Sequence, residues 1–79
     1  MKVEIQYFAE LRQQAQRDNE ILDISEPDAK VIYTRLQEKY GFHSDWHQLG
    51  LAVNHQMARW DHSLQNGDVI VFIPKVAGG

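Results

Sequence analysis

Pro27-Asp28-Ala29-Lys30-Val31-Ile32-Tyr33-Thr34-Arg35-Leu36-Gln37-Glu38-Lys39-Tyr40-Gly41 reads as a complete helix, from start signal to stop signal. Pro27 and Asp28 announce it, and Asp28 suits the N-cap because its carboxylate can accept from orphan N–H groups of the first turn. Gly41 suits the left-handed residue that closes a helix. On a 3.6-residue wheel Ala29, Ile32, Tyr33, Leu36 and Tyr40 share one face, while Lys30, Val31, Arg35 and Glu38 fall elsewhere. A single long helix with one apolar stripe needs a sheet to pack on.

The flanking segments supply that sheet. Upstream, Val3, Ile5 and Tyr7 alternate with Lys2, Glu4 and Gln6, the pattern of a half-buried strand. Ala9 to Gln16 is rich in helix formers and reads as a short helix. Arg17-Asp18-Asn19 turns the chain into a second strand, Glu20 to Ile24. Closeness in sequence makes antiparallel pairing of these two strands the natural expectation. Downstream, Phe42 to Trp46 reads as a loop and Leu49 to Asn54 as a strand. Asn54-His55-Gln56 turns into a short strand, Met57 to Trp60. Asp61 to Leu64 is a turn, and Asn66-Gly67-Asp68 leads into the last strand, Val69 to Ile73. The order strand, strand, helix, strand, short strand, strand predicts an α+β domain with one main helix on one face of a mixed sheet of about five strands. The ubiquitin-like β-grasp is the arrangement with this order.

The last strand carries a second message. Ile70 and Phe72 form one apolar row, and Val69, Val71 and Ile73 form the other. Only one row can face a single helix. The other is left for a partner surface or for a covering loop, and exposed apolar patches often mark interfaces.

Composition narrows the function. The chain has 79 residues, which makes one domain, with 43% hydrophobic and 24% charged residues, as in ordinary globular proteins. It contains no cysteine, so disulfides, cysteine-ligated metals and a catalytic thiol are excluded. A net charge of −3 with scattered cations argues against nucleic acid. No stretch reads as a signal peptide or membrane span, so the expected location is the cytoplasm. The sequence closes on Pro74-Lys75-Val76-Ala77-Gly78-Gly79. If the native chain stops there, two residues without Cβ atoms let the tail enter a narrow tunnel, and the terminal carboxylate becomes the reactive group.

The order of short motifs resembles a known family. Tyr7-Phe8-Ala9 with Leu11-Arg12, Ala52-Val53-Asn54, Asp61-His62 with Leu64, Asn66-Gly67-Asp68, Phe72-Ile73-Pro74 and Val76-Ala77-Gly78-Gly79 together resemble the ThiS/MoaD-like ubiquitin-fold sulfur carriers. Within that family they look most like the small subunits of molybdopterin synthase. The resemblance spans essentially the whole chain.

The resemblance implies a carrier cycle in which this chain binds no cofactor of its own. Gly79 would be adenylated by an activating enzyme using ATP and Mg, then converted by a persulfide sulfur donor into a thiocarboxylate. The charged tail would enter the large synthase subunit, in a heterotetramer, and give its sulfur to a pterin precursor during molybdenum cofactor synthesis. Gly78 would pass the tight channel, with Pro74, Val76 and Ala77 extending along it; proline fixes φ and cannot donate to a ladder. Ile73 and Met57 match positions that contact the large subunit, and Val71 shares the outward row of Ile73. Plain edge-strand packing is the alternative for Met57. Lys75, where the family often has a second proline, and Gln13, where it often has glutamate, depart from the pattern without touching the terminus.

Neighbouring readings are a carrier for thiamine synthesis or tRNA thiolation, and a ubiquitin-like binding module that is never activated. A histidine-dependent hydrolase or metalloprotein is disfavoured. His43-Ser44-Asp45-Trp46-His47 has no evident third strong ligand, and the adjacent residues Asp61-His62-Ser63 seldom point at one another. Trp46 and Trp60 read as core or rim packing, and Asn66-Gly67-Asp68 as turn chemistry.

Overall fold

The structure, a computed structural model, describes residues 1–75. Strand β1 (Lys2–Gln6) buries Val3 and Ile5 and turns Lys2, Glu4 and Gln6 to the other face. Helix α1 (Glu10–Ala15) buries Leu11 and Ala15, and strand β2 (Asn19–Asp23) returns antiparallel to β1. Helix α2 (Ala29–Tyr40) starts where the Asp28 carboxylate accepts the Lys30 N–H at 2.9 Å. It ends at Gly41, whose φ of 72° is left-handed. Strands β3 (Leu49–Val53), β4 (Gln56–Ala58) and β5 (Val69–Pro74) complete a five-stranded sheet ordered β2-β1-β5-β3-β4. Only the central β1–β5 pair is parallel. This is the expected β-grasp.

The core lies between α2 and one face of the sheet. Ala29, Ile32, Tyr33 and Leu36 of α2 are buried with Val3, Ile5, Leu49, Leu51, Ile70 and Phe72. Tyr33 is wholly buried with its ring 5.0 Å from that of Phe72, and its hydroxyl donates to the Ser44 carbonyl at 2.6 Å. Burial first, then the carboxylates of Asp45 and Glu10, push its pKa up to about 12.

Four local expectations need correction. Ala9 is not helical: φ 53° and ψ −127° reverse the chain between β1 and α1. The third strand stops at Val53 rather than Asn54, because Asn54 and His55 both take positive φ, 53° and 69°, in the tight turn to β4. The fourth strand is Gln56–Ala58, not Met57 to Trp60. Trp60 leaves the ladder to donate its indole N–H to the Leu49 carbonyl at 3.1 Å and to stack on Phe72 at 5.7 Å. The segment before β3 is not all loop, since Phe42 is a core residue and Trp46–Gln48 forms a 3-10 turn.

Two polar clusters fasten the frame. Asp68 is buried and fully used: one oxygen accepts from Asn54 Nδ2 at 2.9 Å, the other from the Gln65 N–H at 2.8 Å. Asn54 Oδ1 in turn accepts the Val69 N–H at 2.9 Å, so the Asn66-Gly67-Asp68 turn is structural, as its sequence implies. At the opposite edge, Glu20 Oε2 accepts the hydroxyls of Tyr7 and Tyr40, each at 2.5 Å. Arg17 and Lys39 lie 3.6 and 3.8 Å from its Oε1. Burial alone would raise the Glu20 pKa; the Tyr40 and Tyr7 hydrogen bonds, with Lys39 and Arg17, outweigh it and hold the pKa below the usual value.

Candidate functional site

The two rows of β5 separate as their alternation requires. Ile70 and Phe72 are fully buried under α2, whereas Val69, Val71 and Ile73 are half-buried on the outer face. Register then assembles a surface. Val71 lies opposite Ala52 of β3, and Ala52 lies opposite Met57 of β4, so three apolar side chains form a row across three strands. One step along, Ile73 pairs with Gly50. A Cβ on Gly50 would stand 3.1 Å from Met57 Cε, so the missing side chain is the space into which Met57 leans.

Phe8 and His55 complete the rim of a shallow depression of about 300 Å³ lined by Ala52, Met57, Val71 and Ile73. Met57 is 69% exposed and Phe8 57%, so both are large apolar side chains open on this face. On β1 the outer face becomes polar, where Gln6 Nε2 donates to Glu4 Oε2 at 3.0 Å. The apolar patch is therefore bounded, as an interface core with a polar rim would be.

The sequence-named residues Ile73, Val71 and Met57 come together on this face. Phe8, Ala52 and Gly50 were not foreseen as part of it. Phe8 had a legible signal, since it follows the buried Tyr7 and so breaks the alternation of β1 as β5 does. Ala52 and Gly50 had none, because small residues announce no face. Strand β5 ends at Pro74, paired with Leu49 at the edge of the ladder. Lys75 Nζ donates to the His47 carbonyl at 3.4 Å, a long contact. The roles expected of Val76, Ala77, Gly78 and Gly79 fall on residues outside the described part of the chain.

The residues of the alternative centres make other contacts. His47 Nδ1 bonds Asp45 Oδ2 at 2.6 Å while its ring stacks on Trp46, and His43 Nδ1 faces Gln14 at 3.4 Å. The hydrogen bond from His47 is the main reason Asp45 titrates below its usual range. Asp61 is taken by Arg59 through two contacts of 3.1 Å, and the backbone of Ser63 forms a β-bridge with that of Asp28. Among the described residues no group of three potential ligands could hold a metal. No helix among them is long and apolar enough to cross a membrane.

Comparison with known proteins agrees with this geometry. The chain superimposes on a Pyrococcus furiosus protein described as subunit 1 of molybdopterin converting factor, with TM-score 0.80 and 28% identity over 96% of this chain and 99% of that one. Subunit 1 in the complex of subunits 1 and 2 of the molybdopterin-converting factor from Helicobacter pylori 26695 matches with TM-score 0.68 and 29% identity over 100% of both chains. SAMP1 from Haloferax volcanii shares the fold, with TM-score 0.78 at 18% identity over 100% of both. No curated protein sequence matches the chain. The sequence model of the ThiS family matches residues 5–79, from the first strand through the final glycine, and the chain belongs to that family of ubiquitin-fold sulfur carriers.

Proposed function

We propose that this chain is the sulfur-carrying small subunit of a molybdopterin synthase. The observation that carries the reading is the bounded apolar row of Val71, Ala52 and Met57, flanked by Ile73 on the strand that leads directly into the tail. A partner that grips this face receives the tail beside it. Five residues follow Pro74, and fully extended they would reach at most about 18 Å. That is far enough to put Gly79 inside a partner while the sheet stays outside. The pathway rests on the full-length likeness, at 28% and 29% identity, to two subunits 1 of molybdopterin-converting factors, one of them bound to its subunit 2.

The chemistry is what membership of the ThiS family implies. The chain has no cysteine to hold sulfur as a persulfide of its own. In this reading the carboxylate of Gly79 carries the sulfur. A carboxylate resists nucleophiles, so it is first joined to AMP by an adenylating enzyme that consumes ATP with Mg. The terminal sulfur of a persulfide donor attacks the acyl carbon and AMP leaves. A second thiol then cleaves the sulfur–sulfur bond and releases the thiocarboxylate. The large subunit supplies the acid–base groups and holds the pterin precursor; this chain supplies sulfur and position, an effect of proximity. Gly78 and Ala77 keep the tail slim, Val76 contacts the channel, and Pro74 stops the ladder so that the tail leaves the sheet.

The test pairs the thiocarboxylated protein with a molybdopterin synthase large subunit and, separately, with a thiazole synthase. Stable association and pterin conversion with the first alone are expected. Association and sulfur delivery with the thiazole synthase alone would place the carrier in thiamine synthesis instead.

A further inference from the structure

Strand β2 is an outer edge of the sheet. Its hydrogen-bonding phase follows from two contacts: the Tyr7 N–H donates to the Asp18 carbonyl at 2.8 Å and the Ile24 N–H to the Met1 carbonyl at 2.7 Å. With the observed antiparallel register, Glu20 and Leu22 therefore bond to β1. Asn19, Ile21 and Asp23 turn their N–H and C=O groups outward, and no backbone contact from elsewhere among the described residues meets them. Natural edges are commonly blunted by lysine, proline or bulges. This one carries neither lysine nor proline, and its central residue, Ile21, is 63% exposed.

Beside that edge lies a groove against α2. Its volume of about 170 Å³ has an apolar floor of Leu22, Ile24, Ile32 and Leu36. Ordinary small-molecule pockets run to about 300–1,000 Å³. The groove is thus too small for a metabolite of that kind and suited to a single aliphatic side chain. Arg35 and Lys39, both exposed, continue the same helical stripe. Lys39 shares Glu20 with Arg17, and the one acid of the lining, Asp23, is met by the N-terminal ammonium at 3.3 Å, so cations still outnumber acids around the groove. A locally cationic rim stands out on a chain of net charge −3.

We propose that the β2–α2 groove binds an extended acidic peptide segment of a partner protein, added as a further strand to β2. Its backbone pairs with Asn19, Ile21 and Asp23. One aliphatic side chain enters the groove, and acidic side chains meet Arg35 and Lys39. The groove lies on the helix side of the sheet at the β2 edge, whereas the apolar patch lies on the other face towards β4. Both can be occupied together, so a scaffold or assembly partner could hold the carrier while its tail is engaged elsewhere.

The test titrates isotope-labelled protein with a synthetic peptide Asp-Thr-Val-Thr-Asp, whose valine and two aspartates share one face of a strand, read by amide chemical shifts. Shifts are expected at Asn19, Ile21 and Asp23 and along Ile32 to Lys39. Replacing every aspartate of the peptide by lysine should abolish them. Arg35→Glu should weaken binding by about tenfold or more, because it sets like charges together. Ile21→Pro removes an outward N–H without breaking the β1 ladder and should also block binding; the exposed Arg35→Glu carries the test if the proline variant misfolds. The proposal is overturned by absence of shifts, by equal binding of the lysine peptide, or by shifts confined to Ala52, Met57, Val71 and Ile73. Concentration-dependent shifts at β2 without any peptide would overturn it too, making a second copy of the chain the occupant.

Discussion

Glu20 gathers four side chains from three parts of the chain around one carboxylate, and its charge has a cost that those partners offset. Its folded pKa is held below that of an exposed glutamate, which titrates near ~4.3. Across the acid range the unfolded chain therefore binds more protons than the folded one. The stabilisation is present above the ordinary glutamate range and is lost as pH falls through the folded value. Glu20→Gln should cost about 1–3 kcal/mol at neutral pH and progressively less in acid, measured by urea unfolding. An equal cost in both conditions would mean the charge contributes nothing. Ala9 gives the opposite expectation. Its positive φ costs on the order of 1–3 kcal/mol, against about 0.5–1 kcal/mol of extra chain entropy for glycine. Ala9→Gly should raise the melting temperature, and a lowered one would contradict the strained turn. Neither feature was legible in the sequence. A glutamate in a strand reads as solvated until Tyr7, Tyr40, Arg17 and Lys39 are folded around it, and alanine is ordinarily a sign of helix.

Helix α2 and strand β5 divide the molecule into a packed side and an outer apolar face proposed for docking. Leu36 is 3% exposed under the helix, so Leu36→Ala should cost about 2–5 kcal/mol in chemical unfolding; a shift well below that range would place it outside the core. Met57 belongs to that outer face. Met57→Glu should change stability by no more than about 0.5 kcal/mol. It should nonetheless weaken docking to the large subunit, as titration calorimetry can measure, and unchanged docking would remove this face from the interface. These two elements were the most legible ones, because the caps of α2 and the double apolar row of β5 are local patterns. The parallel β1–β5 pairing was not legible, since residues more than sixty positions apart leave no mark on each other's sequence. Trp60 misled for a related reason: it fits a strand pattern, but its indole finds a better place against Phe72 and the Leu49 carbonyl.

At the scale of the whole molecule, a cysteine-free chain with no evident catalytic centre among its described residues presents two surfaces and a tail. The patch on the outer face sits beside the strand that leads to the tail, and the β2–α2 groove lies at the other edge. Under the proposed function such a molecule is handed from partner to partner, and its activity resides in the chemical state of Gly79. The Gly78-Gly79 pair was legible in the sequence, whereas the docking face proposed beside β5 took the fold to assemble. The most direct measurement is the intact mass of the protein after incubation with ATP, Mg, an adenylating enzyme and a persulfide donor. Replacement of one oxygen by one sulfur, mapped to Gly79 and absent from a variant lacking Gly78-Gly79, is the predicted result. An unmodified terminus under conditions that charge another ThiS-family carrier with the same enzyme would contradict the account and leave a ubiquitin-like binding module.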